Sequence, residues 1–309
     1  MIKIQQKPIL VIYFNRPKIL KSLLKSLKKF KPSSIYFSCD GPRLSSNSDE
    51  EGIKACNLLI DNYVDWPCKK KFMRAEANIG CDNWVPQSIS WFFFHEESGI
   101  ILEDDCLIDE NFYNFSSYLL DKYADNEKVM NIAALNPTTS NEKEKDYDYF
   151  YSYYPLTWGW ATWRRAWTYY NHYIKIENYN SLIKEHLVSK GFTKYELIYW
   201  NKFFTRLEQK KVLFWDIKWI YSIWLRGGCS ITPSKNLVVN IGFGKDATHT
   251  KFTVGTPYGK KIYSIQFPLR KASSNLYYLI DRTIFKVRFK ATIFKKIIHV
   301  ITYFLGYFK

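Results

Sequence analysis

Hydrophobic and polar positions fall into alternating blocks along the first 135 residues. Pro8 to Phe14 is a continuous apolar run, short enough for a strand buried on both faces. Asn15-Arg16-Pro17 then opens a helix, with Pro17 in its first turn. Ile19, Leu20, Leu23, Leu24 and Leu27 recur at helical spacing, with lysines on the other face, and Pro32 ends the element. Ile35 to Cys39 predicts a second strand, and Asp40-Gly41-Pro42-Arg43 its turn. A helix follows from about Glu50 to Tyr63. Phe72-Met73-Arg74 predicts a third strand, leading to Asn78-Ile79-Gly80, and Trp84 to His95 another helix. Gly99 to Leu102 is a short apolar strand, and Val129 to Leu135 one more. Strands alternating with helices at this spacing predict an α/β fold. Its sheet is doubly wound and mostly parallel, with helices on both faces.

The strand at Gly99 ends in Glu103-Asp104-Asp105. Clustered like charges are costly to bury unless a cation or hydrogen-bond donors offset them. In an open α/β sheet, ligands bind beyond the carboxyl ends of the strands. Hard divalent cations such as Mg²⁺ or Mn²⁺ take oxygen ligands and bridge them to diphosphates. The triplet Glu103-Asp104-Asp105 therefore predicts a metal–diphosphate site. A solvated acidic turn is the plain alternative. Arg16, after the first strand, and Asp40, after the second, should face the same crevice. Arg74 and Asn78, which follow the third strand, join them as candidate donor-binding residues. No Gly-x-Gly-x-x-Gly and no P-loop pattern is present.

The second half is less regular. Thr138 to Tyr149 is polar and reads as an exposed loop. Trp158, Trp160, Trp163 and Trp167 lie within ten residues. Trp163 and Trp167, four apart, predict one face of a core helix. Trp158 and Trp160 are candidate platforms for a sugar or base, with Gly159 between them allowing close backbone approach. Residues 171 to 211 read as helical. Phe214 to Leu225 is an apolar helix stopped by Gly227-Gly228, with Asp216 near its start. Asp216 suits a general base, or a plain N-terminal capping role. Asn236 to Thr250 is broken by glycines and carries His249, a candidate metal ligand.

Charge changes the picture. Lys and Arg number 45 against 29 Asp and Glu, a net charge of +16, which points to phosphate-bearing partners. The six cysteines form no Cys-x-x-Cys pair, which argues against a zinc site and suits a reducing cytoplasm. Met1 to Lys7 lacks a long apolar run, so no secretion signal is expected. The basic residues gather in helix faces and at the C-terminus without a nucleic-acid-binding motif, so nucleic acid is not expected as a partner. A basic nucleic-acid binder and a nucleotidyltransferase of similar fold stand as alternative readings.

The order of these motifs, over roughly residues 7 to 250, resembles the inverting GT-A nucleotide-sugar glycosyltransferases. It resembles most the branch of N-acetylglucosaminyltransferase I and bacterial surface-glycan sugar transferases. Ile9 to Ile12 with Arg16 is similar to that family's first strand and nucleotide-contacting Arg, and Ser38-Cys39-Asp40 to its uracil-binding Asp. Glu103-Asp104-Asp105, followed by Asp109 and Phe112, is similar to its metal motif, whose last Asp holds the ion. Trp158-Gly159-Trp160 resembles its Gly-Trp segment, and Trp215-Asp216 its base segment. This chain departs from the family at Ile217, where a second Asp is the base, which leaves Asp216 for that role and Glu196 as a second candidate.

The resemblance implies a GT-A-like fold and a metal-dependent inverting transfer. The sugar would move from a nucleoside diphosphate, UDP-linked by preference, to a hydroxyl of a glycan or lipid-linked acceptor. The cofactor would be Mn²⁺ or Mg²⁺. Residues 1–265 are expected to form the catalytic domain, with a nucleotide-binding half at 1–135 and an acceptor half at 136–265. Residues 266–309 are expected as a basic amphipathic tail. From Arg282 to Lys309 there are seven Lys/Arg and no Asp or Glu, with Ile293, Phe294, Ile297, Ile298, Ile301, Phe304 and Leu305 at helical spacing. That pattern favours an anionic membrane surface, hence a cytoplasmic protein held peripherally on the inner face of the cytoplasmic membrane.

Overall fold

The computed structural model describes residues 4–44, 46–138, 146–211, 214–242, 261–273 and 277–290. Its first half follows the expected alternation. β1 (Ile9–Tyr13) leads to α1 (Pro17–Phe30), β2 (Ser34–Cys39), α2 (Asn47–Tyr63), β3 (Lys69–Arg74), α3 (Cys81–His95) and β4 (Ser98–Glu103). Every residue of β1 is buried, as its unbroken apolar run requires. α1 turns Leu20, Leu23, Leu24 and Leu27 into the core and places Lys28 and Lys29 in its last turn, at the negative end of the helix dipole. β3 is an outer strand on which Lys69 and Lys70 are exposed, charges that discourage edge-to-edge pairing.

The second half continues with β5 (Cys106–Leu107), α4 (Glu110–Lys122), β6 (Val129–Ala133), β7 (Tyr149–Ser152), β8 (Trp160–Trp163) and the single turn α5 (Arg164–Trp167). A helical cluster follows: α6 (Ile176–Asn178), a π-helical turn (Tyr179–Ile183), α7 (Lys184–Ser189), α8 (Lys194–Glu208) and α9 (Trp215–Leu225). β9 (Cys229–Pro233), β10 (Val239–Asn240) and α10 (Tyr277–Ile284) come last, α10 running on into a π-helical segment at Phe285–Lys290.

The main sheet has eight strands in the order β3-β2-β1-β4-β8-β6-β9-β7. From β1 the chain winds outward through parallel β2 and β3, then returns to set β4 parallel on the other side of β1. The winding direction reverses between β1 and β4, and their carboxyl ends open on the crevice where such sheets bind ligands.

Beyond β4 the sheet differs from the expectation. β8 runs antiparallel between β4 and β6, and β7 antiparallel to β9. Trp163 ends a strand instead of sharing a helix face with Trp167. The reason is length: Trp160 to Trp163 is four residues, all buried, and so short an apolar run carries no period that separates strand from helix. Its antiparallel course has a consequence for the crevice. Trp160 pairs with Ile101, so Trp158 and Gly159 emerge at the edge where β4 ends in Glu103.

Past residue 265, where the sequence predicts a boundary, the chain has buried side chains. Asp281, Ile284, Phe285 and Phe289 are buried in the same body as the sheet. The Phe289 ring lies 5.4 Å from that of Tyr154 and 5.0 Å from that of Trp200. Phe289 thus meets aromatic side chains of the protein. The amphipathic stripe expected at Ile293 to Leu305 lies outside the described residues. Among the described residues no helix is long and apolar enough to cross a membrane.

Candidate active site

The crevice is built around one cation and a surplus of carboxylates. Arg16, at the start of α1, donates through Nε to Asp104 Oδ2 at 3.1 Å and through Nη2 to Asp104 Oδ1. The same Nη2 reaches Asp105 Oδ2 at 3.1 Å. The Asp104 backbone N–H is held by Ile12 O at 2.9 Å, so the pairing of β1 with β4 fixes the acidic turn against Arg16. Asp104 is buried; burial pushes its carboxyl up to about 6, against the pull of the Arg16 ion pair. Burial also pushes Glu103 up, to about 8, with Asp105, Asp104 and Asp216 adding to it and Arg16 opposing. No donor among the described residues reaches the Glu103 carboxylate, whereas Asp104 is taken by Arg16.

Asp105 is set by a second pair of strands. β5 and β10 pair antiparallel, Cys106 opposite Asn240. The Ile241 N–H donates to Asp105 O at 2.9 Å, and Asn240 Nδ2 to Asp105 Oδ1 at 3.1 Å. A β-carbon on Gly242 would run into the Asp105 carboxylate, so only glycine lets this loop lie so close. Asn240 is a residue the sequence reading missed. Its segment stands out in the sequence for its glycines and for His249, which lies outside the described residues.

Asp216 opens α9 and accepts from the Ile217 N–H at 3.0 Å. α9 is anchored by Lys218, whose Nζ lies 2.5 Å from Asp82 Oδ2 of α3, both side chains nearly buried, and by Trp219, which donates to Asn131 at 3.2 Å. These contacts hold Asp216 within electrostatic reach of Glu103. Asp216 also lines an open depression with Leu135, Trp158, Ile220, Arg288 and Phe289. The Arg288 guanidinium lies 5.2 Å from the centre of the Trp158 ring. Arg288, read from sequence as part of the tail, is thus brought to the same mouth as Asp216.

Other expected site residues have different surroundings. Trp160 is buried among Trp167, Trp215 and Trp219 at centroid distances of 5.9–6.2 Å, so it is core and offers no face to a sugar. Gly159 has φ +62°, the left-handed region glycine favours, and a side chain there would point at Ala134, Ile108 and Val238, not at a ligand. Glu196 is buried in the capping box of α8: Oε2 accepts from the Thr193 N–H and hydroxyl, and Oε1 from Tyr154 OH. It caps a helix and is not available as a base. Arg74 is exposed at the end of β3, its guanidinium 4.6 Å from the centre of the Phe72 ring.

Asp40 and Asn78 come together, but on each other. Asp40 Oδ1 accepts from the Gly41 and Ile79 N–H groups, and Oδ2 from the Gly80 N–H and Asn78 Nδ2, all at 2.8–3.1 Å. Four donors fill a carboxylate's acceptor positions, so any part Asp40 plays in ligand binding runs through the Asn78–Gly80 loop it shapes. Asp40→Ala should cost about 2–3 kcal/mol by leaving those donors unpaired, and should speed hydrogen exchange at Ile79 and Gly80. Unchanged melting and unchanged exchange would show that the loop is held by something else.

No family model matches this chain, and no curated protein does. Among solved structures it is similar to 4-diphosphocytidyl-2C-methyl-D-erythritol synthase from Anaerococcus prevotii DSM 20548, at 10% identity and a TM-score of 0.33, covering 65% of this chain and 84% of that one. It is also similar to UDP-glucose pyrophosphorylase, solved in complex with UDP-glucose, at 10% identity and a TM-score of 0.27, covering 44% and 59%. This chain thus spans less than two thirds of the pyrophosphorylase's length. At TM-scores this low, neither likeness bears on what this chain does.

Proposed function

We propose that the chain is a metal-dependent inverting glycosyltransferase that uses a nucleoside diphosphate-sugar, by preference UDP-linked. The observation that carries this reading is the position of Asp216. It lines the depression beside Trp158 and adds its charge to the field that raises Glu103. Inverting sugar transfer to a hydroxyl is helped by a base that takes the hydroxyl's proton, and a carboxylate can serve. Nucleotidyl transfer to a phosphate needs no such base, because that nucleophile is already an anion. Asp216 therefore favours glycosyl transfer over the nucleotidyltransferase alternative.

The residues fit a divalent cation of the Mn²⁺ or Mg²⁺ type. Among the described residues no three Asp, Glu, His or Cys side chains converge as a closed cage. Such ions need only one or two protein carboxylates when a diphosphate supplies further oxygens. Asp105 would hold the ion with Glu103 beside it; when bound, it would neutralise the departing diphosphate. Arg16 keeps Asp104 paired and sets Asp105. Trp158, partly buried beneath Arg288, would offer its ring edge to the sugar or acceptor. Asp216 takes the acceptor proton from the face opposite the leaving group, which inverts the anomeric carbon. A glycan or lipid-linked acceptor on the inner face of the cytoplasmic membrane suits the +16 charge and the basic C-terminus.

The product released separates the two chemistries. With Mn²⁺ and a panel of nucleotide-sugars, glycosyl transfer or slow donor hydrolysis liberates a nucleoside diphosphate. Pyrophosphate released from a nucleoside triphosphate and a sugar phosphate would overturn the proposal. Asp105→Ala should abolish Mn²⁺-dependent binding of UDP in a calorimetric titration while the melting temperature stays within a few degrees of the parent's. Undiminished metal-dependent affinity would remove Asp105 from the site.

A further inference from the structure

We infer that the outward face shared by α8 and α10 is a docking surface for an anionic lipid bilayer. The end of α10 and the residues just past it meet α8. The Phe285 ring, just past α10, is 5.9 Å from that of Tyr195 and 5.2 Å from that of Tyr199. Tyr278 stands against Gly191, just before α8. Tyr195 and Ile198 on α8, and Tyr278 and Leu279 on α10, are each roughly half exposed. Beside them Lys194, Lys202, Arg282 and Lys286 point to solvent, with the Arg282 guanidinium 5.6 Å from the centre of the Tyr278 ring.

The charges are sorted by side. Of the acidic residues on α8 and on 277–290, Glu196 and Asp281 are buried, and Glu208 closes the far end of α8, where it accepts from the Ile176 N–H. Outward there are apolar and basic side chains together, the composition of a surface that lies in the headgroup layer. A second copy of the chain would bring like charges together, which argues against self-association through this face. Residues 291–309 continue the same composition in sequence, basic and apolar with no carboxylate. The inner side of the segment carries Arg288 and Phe289 to the depression beside Asp216. Docking of this face is independent of which transfer reaction the crevice performs.

Cosedimentation of the full chain with sucrose-loaded vesicles tests this. Vesicles containing phosphatidylglycerol should bind at least about tenfold more tightly than phosphatidylcholine alone. Two double variants, each retaining residues 291–309, probe the face: Ile198→Glu with Leu279→Glu, and Lys202→Glu with Lys286→Glu. Each should weaken binding to phosphatidylglycerol vesicles by about tenfold or more, at an unchanged melting temperature. If the first variant melts early, the second decides, since its two side chains are exposed. Affinity within about twofold of the parent in the second variant overturns the inference and leaves vesicle binding to residues 291–309. Failure of the parent chain to bind phosphatidylglycerol vesicles overturns it as well, and would turn attention to an acidic protein as partner.

Discussion

Asp216→Asn should lower turnover by about 10²-fold or more, the range for loss of a general base, with the affinity for UDP and Mn²⁺ unchanged. The substitution keeps the size of the side chain and the bond from the Ile217 N–H, so α9 and its Lys218–Asp82 anchor should stay in place. What it removes is the oxygen that takes a proton. Steady-state rates over an acceptor series, together with a calorimetric UDP titration, separate the two effects. Turnover within a few-fold of the parent would remove Asp216 from the base role. Glu196→Gln makes the contrast. Its carboxylate holds the capping box of α8 and meets Tyr154, so it should lower the melting temperature and leave the chemical step alone.

The part of the crevice built on β1 and β4 was legible because buried parallel strands leave a distinctive trace. β1 and β4 are apolar runs too short to be helices, and each is followed at once by charge, Arg16 in one case and Glu103 to Asp105 in the other. The rule that ligands sit beyond the carboxyl ends of such strands then places the charges together, and Arg16 does pair with Asp104 and Asp105. What the sequence cannot show is which carboxylates the protein uses itself. Asp40 and Glu196 look like free acids until their donors appear. Those donors come from the Asn78–Gly80 loop in one case, and from Thr193 and Tyr154 in the other. Asn240 lay hidden for a related reason, since it acts through two-residue strands that no periodicity marks. The antiparallel β8 escaped because Trp160-Ala161-Thr162-Trp163 is apolar on both faces and a single turn long.

A chain ended at Ala272, ahead of α10, should fail to fold or should aggregate, whereas one ended at Lys290 should keep the parent's cooperative melting. Ahead of the stripe expected at Ile293 to Leu305, Ile284, Phe285 and Phe289 are buried in the protein. Burying three such side chains contributes roughly 5–8 kcal/mol, comparable with the whole net stability of a typical domain at about 5–15 kcal/mol. Their removal would also uncover Tyr154 and Trp200, whose rings Phe289 covers. The Ser152 hydroxyl and the Tyr153 N–H would lose Asp281, to which they donate at 2.6 and 2.8 Å. Buried donors left unpaired add about 1–3 kcal/mol each. Calorimetric melting of the two shortened chains reads the difference. If the chain ended at Ala272 melts cooperatively within a few degrees of the parent, α10 is an appendage, and the boundary at residue 265 expected from the sequence stands.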